Sequence, residues 1–202
     1  MKRTLALLLA VALFLPMASS AEVAYSDKTE YNYMYSSEIT TMNYLVTSVI
    51  QNMRSSANFI DTLVDYDNFG LVTPSLATEW ETSEDGLVWT FKLREGVKWY
   101  DTNANEVAEV TAHDFVSSLK YILTLANEST TADLVSPVIK NGAGYYAGTI
   151  TDFAEVGVKA PDDYTLVYTL EAPCPYFLSM LTYVCFFPVY EPFLNEMDAD
   201  PE

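Results

Sequence analysis

Positive charge is what this chain has least of. Ten Lys and Arg stand against 28 Asp and Glu, a formal net charge of −18 over 202 residues. Phosphate backbones and anionic lipid surfaces are held by Lys and Arg, so nucleic acid and electrostatic membrane binding are excluded as main tasks. The acidic excess reads as a solvated face. Histidine is scarcer still, with His113 alone. No Cys or second His stands at ligand spacing from it, and no Ser-His-Asp set can be assembled around it, so it reads as a surface residue in the first turn of a helix. A glycine-rich phosphate loop is missing, and neither metal nor cofactor is expected. The two cysteines, Cys174 and Cys185, could bridge in an oxidising compartment. Both lie among apolar residues on either side of a short helix expected over 175–181, so they read as buried thiols rather than a bridge. The adjacent acids Asp162 and Asp163 read as turn formers, not as the spaced acid pair of a glycosidase.

What is present is apolar and aromatic. Half the residues are hydrophobic, enough for a sizeable core and against disorder. Residues 1–21 have the pattern of an export signal: Lys2 and Arg3, an eleven-residue apolar run from Leu5 to Leu15, Pro16, then Ser19-Ser20-Ala21. Eleven residues are too few to span a bilayer as a helix. Removing Lys2 and Arg3 leaves 8 basic residues against 28 acidic, a charge of −20.

The organising stretch runs from Pro74 to Leu123. Trp80-Glu81-Thr82 and Val88 to Leu93 are strand chemistry, and from Trp89 to Leu93 apolar and polar residues alternate with period two. Ser83-Glu84-Asp85-Gly86 between them is a hairpin turn signal. Glu95-Gly96 marks a second turn and 97–100 a third short strand. The period then changes. Thr111-Ala112-His113-Asp114 has the form of a capping box, and Phe115, Val116, Leu119, Ile122 and Leu123 fall on one helical face. Trp80, Trp89 and Trp99 are expected in core packing.

Four spaced elements of this stretch occur in a telling order: P-x-L-A-x-x-W, S-x-D-G, W-T-F-x-L-R-x-G-V-K-W and T-A-x-D-F-V-x-S. A later block, Val156 to Leu166 followed by Glu171-Ala172-Pro173-Cys174-Pro175-Tyr176-Phe177, continues it. Together they resemble family 5 of the extracytoplasmic solute-binding proteins, the oligopeptide- and dipeptide-binding class of bacterial ABC importers. The resemblance covers nearly everything after the N-terminal segment. It implies an α/β (α+β) fold of the periplasmic-binding-protein type, in the class with an extra lobe. That fold has a mainly antiparallel sheet with flanking helices, here incomplete. It implies residues 22–60 as the first segment of a discontinuous ligand-binding domain and residues 61–202 as a second lobe. Relatives continue well beyond this length, so the chain is expected to be an N-terminal fragment, and residues 22–202 alone are expected to bind peptide negligibly.

The resemblance also implies a site. Asn43 to Met53 corresponds to the family segment lining the peptide cleft, with Ser48 and Ile50 at positions that contact ligand main chain. Thr47, Ser48, Val49 and Ile50 are therefore candidate substrate-binding residues, and the same residues also read as an ordinary helix start. The implied partners are a peptide ligand and ABC permease subunits, with no nucleic acid, and the full-length protein is expected to be a monomer that is not an enzyme. Many relatives carry a lipoprotein Cys at the signal junction. This chain has none there, so an exported periplasmic or extracellular protein is expected. The competing reading is an exported acidic hydrolase acting on polysaccharide. The same scaffold can also bind nickel, haem or sugar.

Along the rest of the chain, alternating Tyr31, Tyr33 and Tyr35 suggest a strand, and Thr41-Met42-Asn43 a turn. The apolar residues from Ile50 to Val64 suggest one helical face. Asn68-Phe69-Gly70 reads as a turn, 101–110 as a long surface loop, and 140–148 as a helix with a Gly stop, with Tyr145 and Tyr146 packing. Residues 155–160 and 165–170 read as strands around a Pro161-Asp162-Asp163 turn, and 191–197 as a last helix.

Overall fold

Alternation between Trp89 and Leu93 places Phe91 and Leu93 on one side of a strand and Lys92 on the other, and the sheet grows from that asymmetry. The computed structural model describes residue 34 and residues 37–199, with side chains to 196. By its contacts the chain divides into residues 1–34 and residues 35–202, and every helix and strand described lies in the second unit. The expected export signal and the Tyr31, Tyr33 and Tyr35 strand lie outside the described residues.

The element order is α1 (Ile50–Ser56), β1 (Val64–Tyr66), β2 (Val72–Pro74), β3 (Ala77–Thr82), β4 (Val88–Leu93), β5 (Lys98–Tyr100), β6 (Glu106–Glu109), α2 (Ala112–Leu123), α3 (Ala132–Val135), α4 (Gly142–Tyr146), β7 (Val158–Asp162), β8 (Thr165–Thr169), α5 (Phe177–Met180) and α6 (Glu191–Ala199). The fold is mixed α/β, and the described strands pair antiparallel. Its main sheet has the order β3-β4-β8-β7, flanked by the two-stranded pairs β1-β2 and β5-β6. The strands expected at 80–82, 88–93, 155–160 and 165–170 fall in that sheet, and the short strand expected at 97–100 is β5.

The β3–β4 turn forms for local reasons. The Gly86 N–H closes on the Ser83 carbonyl at 2.9 Å, and the Asp85 carboxylate accepts from the Leu87 N–H at 3.1 Å. Gly86 sits at φ +71°, where a Cβ is disfavoured. At the sheet centre Phe91 faces Leu166, and Trp89 faces Tyr168. Phe91, Tyr168, Phe177 and Phe186 are fully buried and meet edge to face, with ring centroids 5.4 to 6.3 Å apart. Helix α2 lies over β7 and β8, burying Phe115, Leu119, Ile122 and Leu123 as its spacing requires. At its start the Thr111 N–H donates to Asp114 Oδ2 at 2.8 Å, and the Trp99 indole N–H reaches the same oxygen at 3.0 Å. Trp80, Trp89 and Trp99 are all partly buried against the core.

Three expectations are corrected. Residues 101–110 form a hairpin rather than a long loop. Asp101 Oδ1 accepts from the N–H groups of Asn103 and Asn105, at 2.8 and 2.9 Å, folding a side-chain-supported turn, and β6 returns to pair with β5. The helical face expected from Ile50 to Val64 is helical only to Ser56, and Val64 belongs to β1; Met53 and Ile60 pack against the core as expected, but Ile50 is exposed and the polar Asn52 and Ser56 are buried. Strand β7 starts at Val158 rather than Glu155, since Phe153–Glu155 is a 3-10 turn whose Ala154 N–H is capped by Asp152 at 2.9 Å. It also runs through Pro161 and Asp162, leaving the turn to the residues after them. Elsewhere α4 ends ahead of Gly148 at φ +74°, and Tyr145 packs edge to face on Phe153 at 5.1 Å, as expected.

Candidate ligand-binding segment

The candidate segment begins at an Asn turn. Asn43 Oδ1 accepts from the Leu45 N–H at 3.1 Å, and the Asn43 N–H donates to the Thr41 hydroxyl at 3.0 Å. The next residues are tied to distant parts of the same unit. Tyr44 and Leu45 are buried in the core. The Tyr44 hydroxyl donates to the Pro188 carbonyl at 2.6 Å, the Ser129 hydroxyl to the Leu45 carbonyl at 2.6 Å, and the Thr130 N–H to the Val46 carbonyl at 3.0 Å. Burial, with the Asp114 charge adding to it, pushes the Tyr44 phenol well above its ordinary pKa. The carbonyls of Leu45 and Val46 are thus occupied from within.

The four candidate residues divide. Thr47 is buried, and its hydroxyl oxygen accepts from the Val49 N–H and from Asn52 Nδ2, both at 3.1 Å. Ser48 is exposed, and among the described residues no hydrogen bond uses its N–H or carbonyl. Val49 and Ile50 are half exposed, at 45% and 51%. The Val49 carbonyl accepts from the Met53 N–H at 3.1 Å and starts α1. Ser48 therefore joins two exposed apolar side chains with a main-chain N–H and carbonyl that no described residue uses; those of Thr47 are likewise unused among the described residues, but Thr47 is buried. Such a surface suits an extended chain that brings its own N–H and C=O groups. Met42 and Phe59, exposed to 53% and 58%, extend the apolar character of this region.

Asn52 was not among the sequence candidates. It sits between Ile50 and Met53 in what reads as an apolar stripe, and its partners lie five and twelve residues back. No spacing rule in the sequence marks it.

Other chemistry is structural. His113 is exposed, with Nε2 3.4 Å from Asp163 Oδ1. Cys174 and Cys185 are buried and unbridged, and burial pushes the Cys185 thiol up to about 12. Among the described residues no three His, Cys, Asp or Glu side chains are grouped to hold a metal, and no helix is long and apolar enough to cross a membrane.

Comparison with known proteins places this geometry. The family model described as bacterial extracellular solute-binding proteins, family 5 Middle, matches residues 72–201. The chain is similar to the oligopeptide-binding protein AmiA of Streptococcus pneumoniae, 42% identical over 193 residues, covering 96% of this chain and 29% of that protein. Among solved structures it is similar to the substrate-binding domain of an oligopeptide ABC transporter from Bacillus anthracis. The TM-score there is 0.75 at 32% identity, covering 83% of this chain and 31% of that one. It is also similar to Listeria monocytogenes OppA bound to peptide, with a TM-score of 0.73 at 32% identity, covering 81% of this chain and 31% of that one. The chain thus spans about three-tenths of the length of the relatives it matches.

Proposed function

The chain belongs to the family 5 bacterial extracellular solute-binding proteins, and from that membership we propose that it is part of the substrate-binding component of an ABC importer that captures oligopeptides outside the cytoplasm. The observation that carries the reading is the 42% identity to an oligopeptide-binding protein across 96% of the chain. The ligand is a peptide in extended conformation, held chiefly by main-chain hydrogen bonds. Residues 22–60 are the first segment of the ligand-binding domain and residues 61–202 a neighbouring lobe. Residues 47–50 line the cleft: Ser48 supplies main-chain groups, and Val49 and Ile50 supply apolar contact. Hinge closure of two lobes around the peptide precedes delivery to the permease subunits. The protein is exported through the 1–21 signal, acts as a monomer and performs no chemistry on its ligand. The relatives it matches are named as binding proteins, and the hydrolase alternative draws no support from them.

The test is calorimetric titration of the full natural protein with mixed short peptides, run beside a glycan-hydrolysis panel. Micromolar or tighter peptide binding with no glycan cleavage is the expected result. Glycan cleavage without peptide binding overturns the reading.

A further inference from the structure

Helix α1 buries two polar residues more deeply than either of its apolar ones, since Met53 is only partly buried against the core. Asn52 and Ser56 are 1% and 0% exposed, while the apolar Ile50 faces out. A primary amide taken out of water is costly unless its polar atoms are matched. Asn52 matches them on both sides of the candidate segment. Its Oδ1 accepts from the Thr40 N–H at 3.0 Å, and its Nδ2 donates to the Thr40 hydroxyl at 3.2 Å and to the Thr47 hydroxyl at 3.1 Å. The Thr47 oxygen then accepts from the Val49 N–H. A chain of bonds therefore runs from the inner face of the helix to the main chain of Val49 and draws that N–H inward. Ser48, held between two pinned residues, keeps an N–H and a carbonyl that no described residue uses.

An apolar residue at position 52 would bury the same surface without an amide to match, so burial alone does not explain an Asn there. A fully satisfied buried network fixes one geometry instead. We propose that Asn52 is a positioning residue for the peptide: acting through Thr47, it sets the direction of the Ser48 main chain, so that one N–H and one carbonyl face the ligand with Val49 and Ile50 beside them. Asn52 itself is buried and touches no ligand. The proposal rests on the oligopeptide-binding reading above.

The test titrates the full natural protein, stripped of bound peptide, with the short-peptide fraction of a casein tryptic digest. Asn52→Ala and Thr47→Val should each raise Kd about tenfold. The double variant should be no weaker than the weaker single, because both changes cut the same chain of bonds. Thr47→Ser keeps the oxygen and should bind like wild type. Ser56→Ala removes a hydroxyl that donates to the Asn52 main-chain carbonyl at 3.4 Å and leaves the Asn52 side-chain bonds intact, so it should lower the thermal midpoint with Kd unchanged. If Asn52→Ala does not fold, Thr47→Val against Thr47→Ser carries the comparison. Additive losses, or Kd values that track the thermal midpoint across all variants, overturn the positioning role alone. So does unchanged binding by Asn52→Ala or Thr47→Val while wild type binds. Absence of peptide binding by wild type overturns it together with the reading it rests on.

Discussion

The phenol of Tyr44 donates a 2.6 Å hydrogen bond to the main-chain oxygen of Pro188, 144 residues further on. That bond ties the start of the candidate segment to the last quarter of the chain, inside the core that Tyr44 shares with Phe187 at 5.9 Å between ring centroids. Tyr44→Phe keeps the ring and strands a buried carbonyl. It should cost about 1–2 kcal/mol, seen as a lower urea midpoint with unchanged slope. An unaltered midpoint would show that the hydroxyl contributes nothing to the anchoring.

Gly86 turns the β3–β4 hairpin at φ +71°. A Cβ there meets only Pro173 Cβ at 3.5 Å, an ordinary contact, so the cost of a side chain is conformational rather than steric crowding. Gly86→Val should lose about 1 kcal/mol or more, and Gly86→Asn distinctly less, since Asn tolerates the left-handed region. Thermal unfolding separates the two. Equal midpoints for Val and wild type refute the assignment.

Glu109 carries the acid sensitivity of the β5–β6 hairpin. Lys98 Nζ at 2.8 Å, the Tyr164 hydroxyl at 2.5 Å and the Gly96 N–H at 2.7 Å hold its carboxyl down to about 2, from an ordinary 4.5. The folded state thus binds this proton less readily than the unfolded chain. Its contribution is complete above about 4.5 and is lost as pH falls towards about 2. Glu109→Gln should flatten the stability profile across that window. Denaturant titrations at stepped pH read it, and superimposable profiles for the two proteins contradict it.

The Tyr168 hydroxyl is buried among Phe91, Phe177 and Phe186 and finds no partner among the described residues. Burial pushes it well above its ordinary pKa. Tyr168→Phe keeps the ring contacts and removes a desolvated donor, so it should leave stability unchanged or raise it by up to about 1 kcal/mol. A clear fall in the urea midpoint would mean that the hydroxyl is satisfied.

The sheet was legible because its signals are local. Trp89 to Leu93 alternates, Asp85-Gly86 turns, and Thr111 to Asp114 caps, each within a few residues. The hairpin at Asp101 to Asn105 was missed because its turn is built from side-chain acceptors without a glycine. The burial of Asn52 on α1 was illegible for a different reason. Periodicity assigns apolar residues to the inside, and only the partners of Asn52, at Thr40 and Thr47, overrule it. The candidate residues 47–50 came from resemblance alone. Nothing in their own spacing tells that Thr47 turns in while Ser48 turns out.

The sheet order carries a consequence for the time course of folding. β3–β4 and β7–β8 are each neighbours in sequence, and hairpins of that kind close in about 1–10 μs. The sheet exists only once β4 meets β8, across everything from β5 to β7. That closure has the highest sequence separation in the sheet and sets the slow step. Shortening Phe91 or Leu166, which face each other at this seam, should therefore slow refolding in stopped-flow measurements. Truncating Trp80, on the outer strand β3, should chiefly speed unfolding.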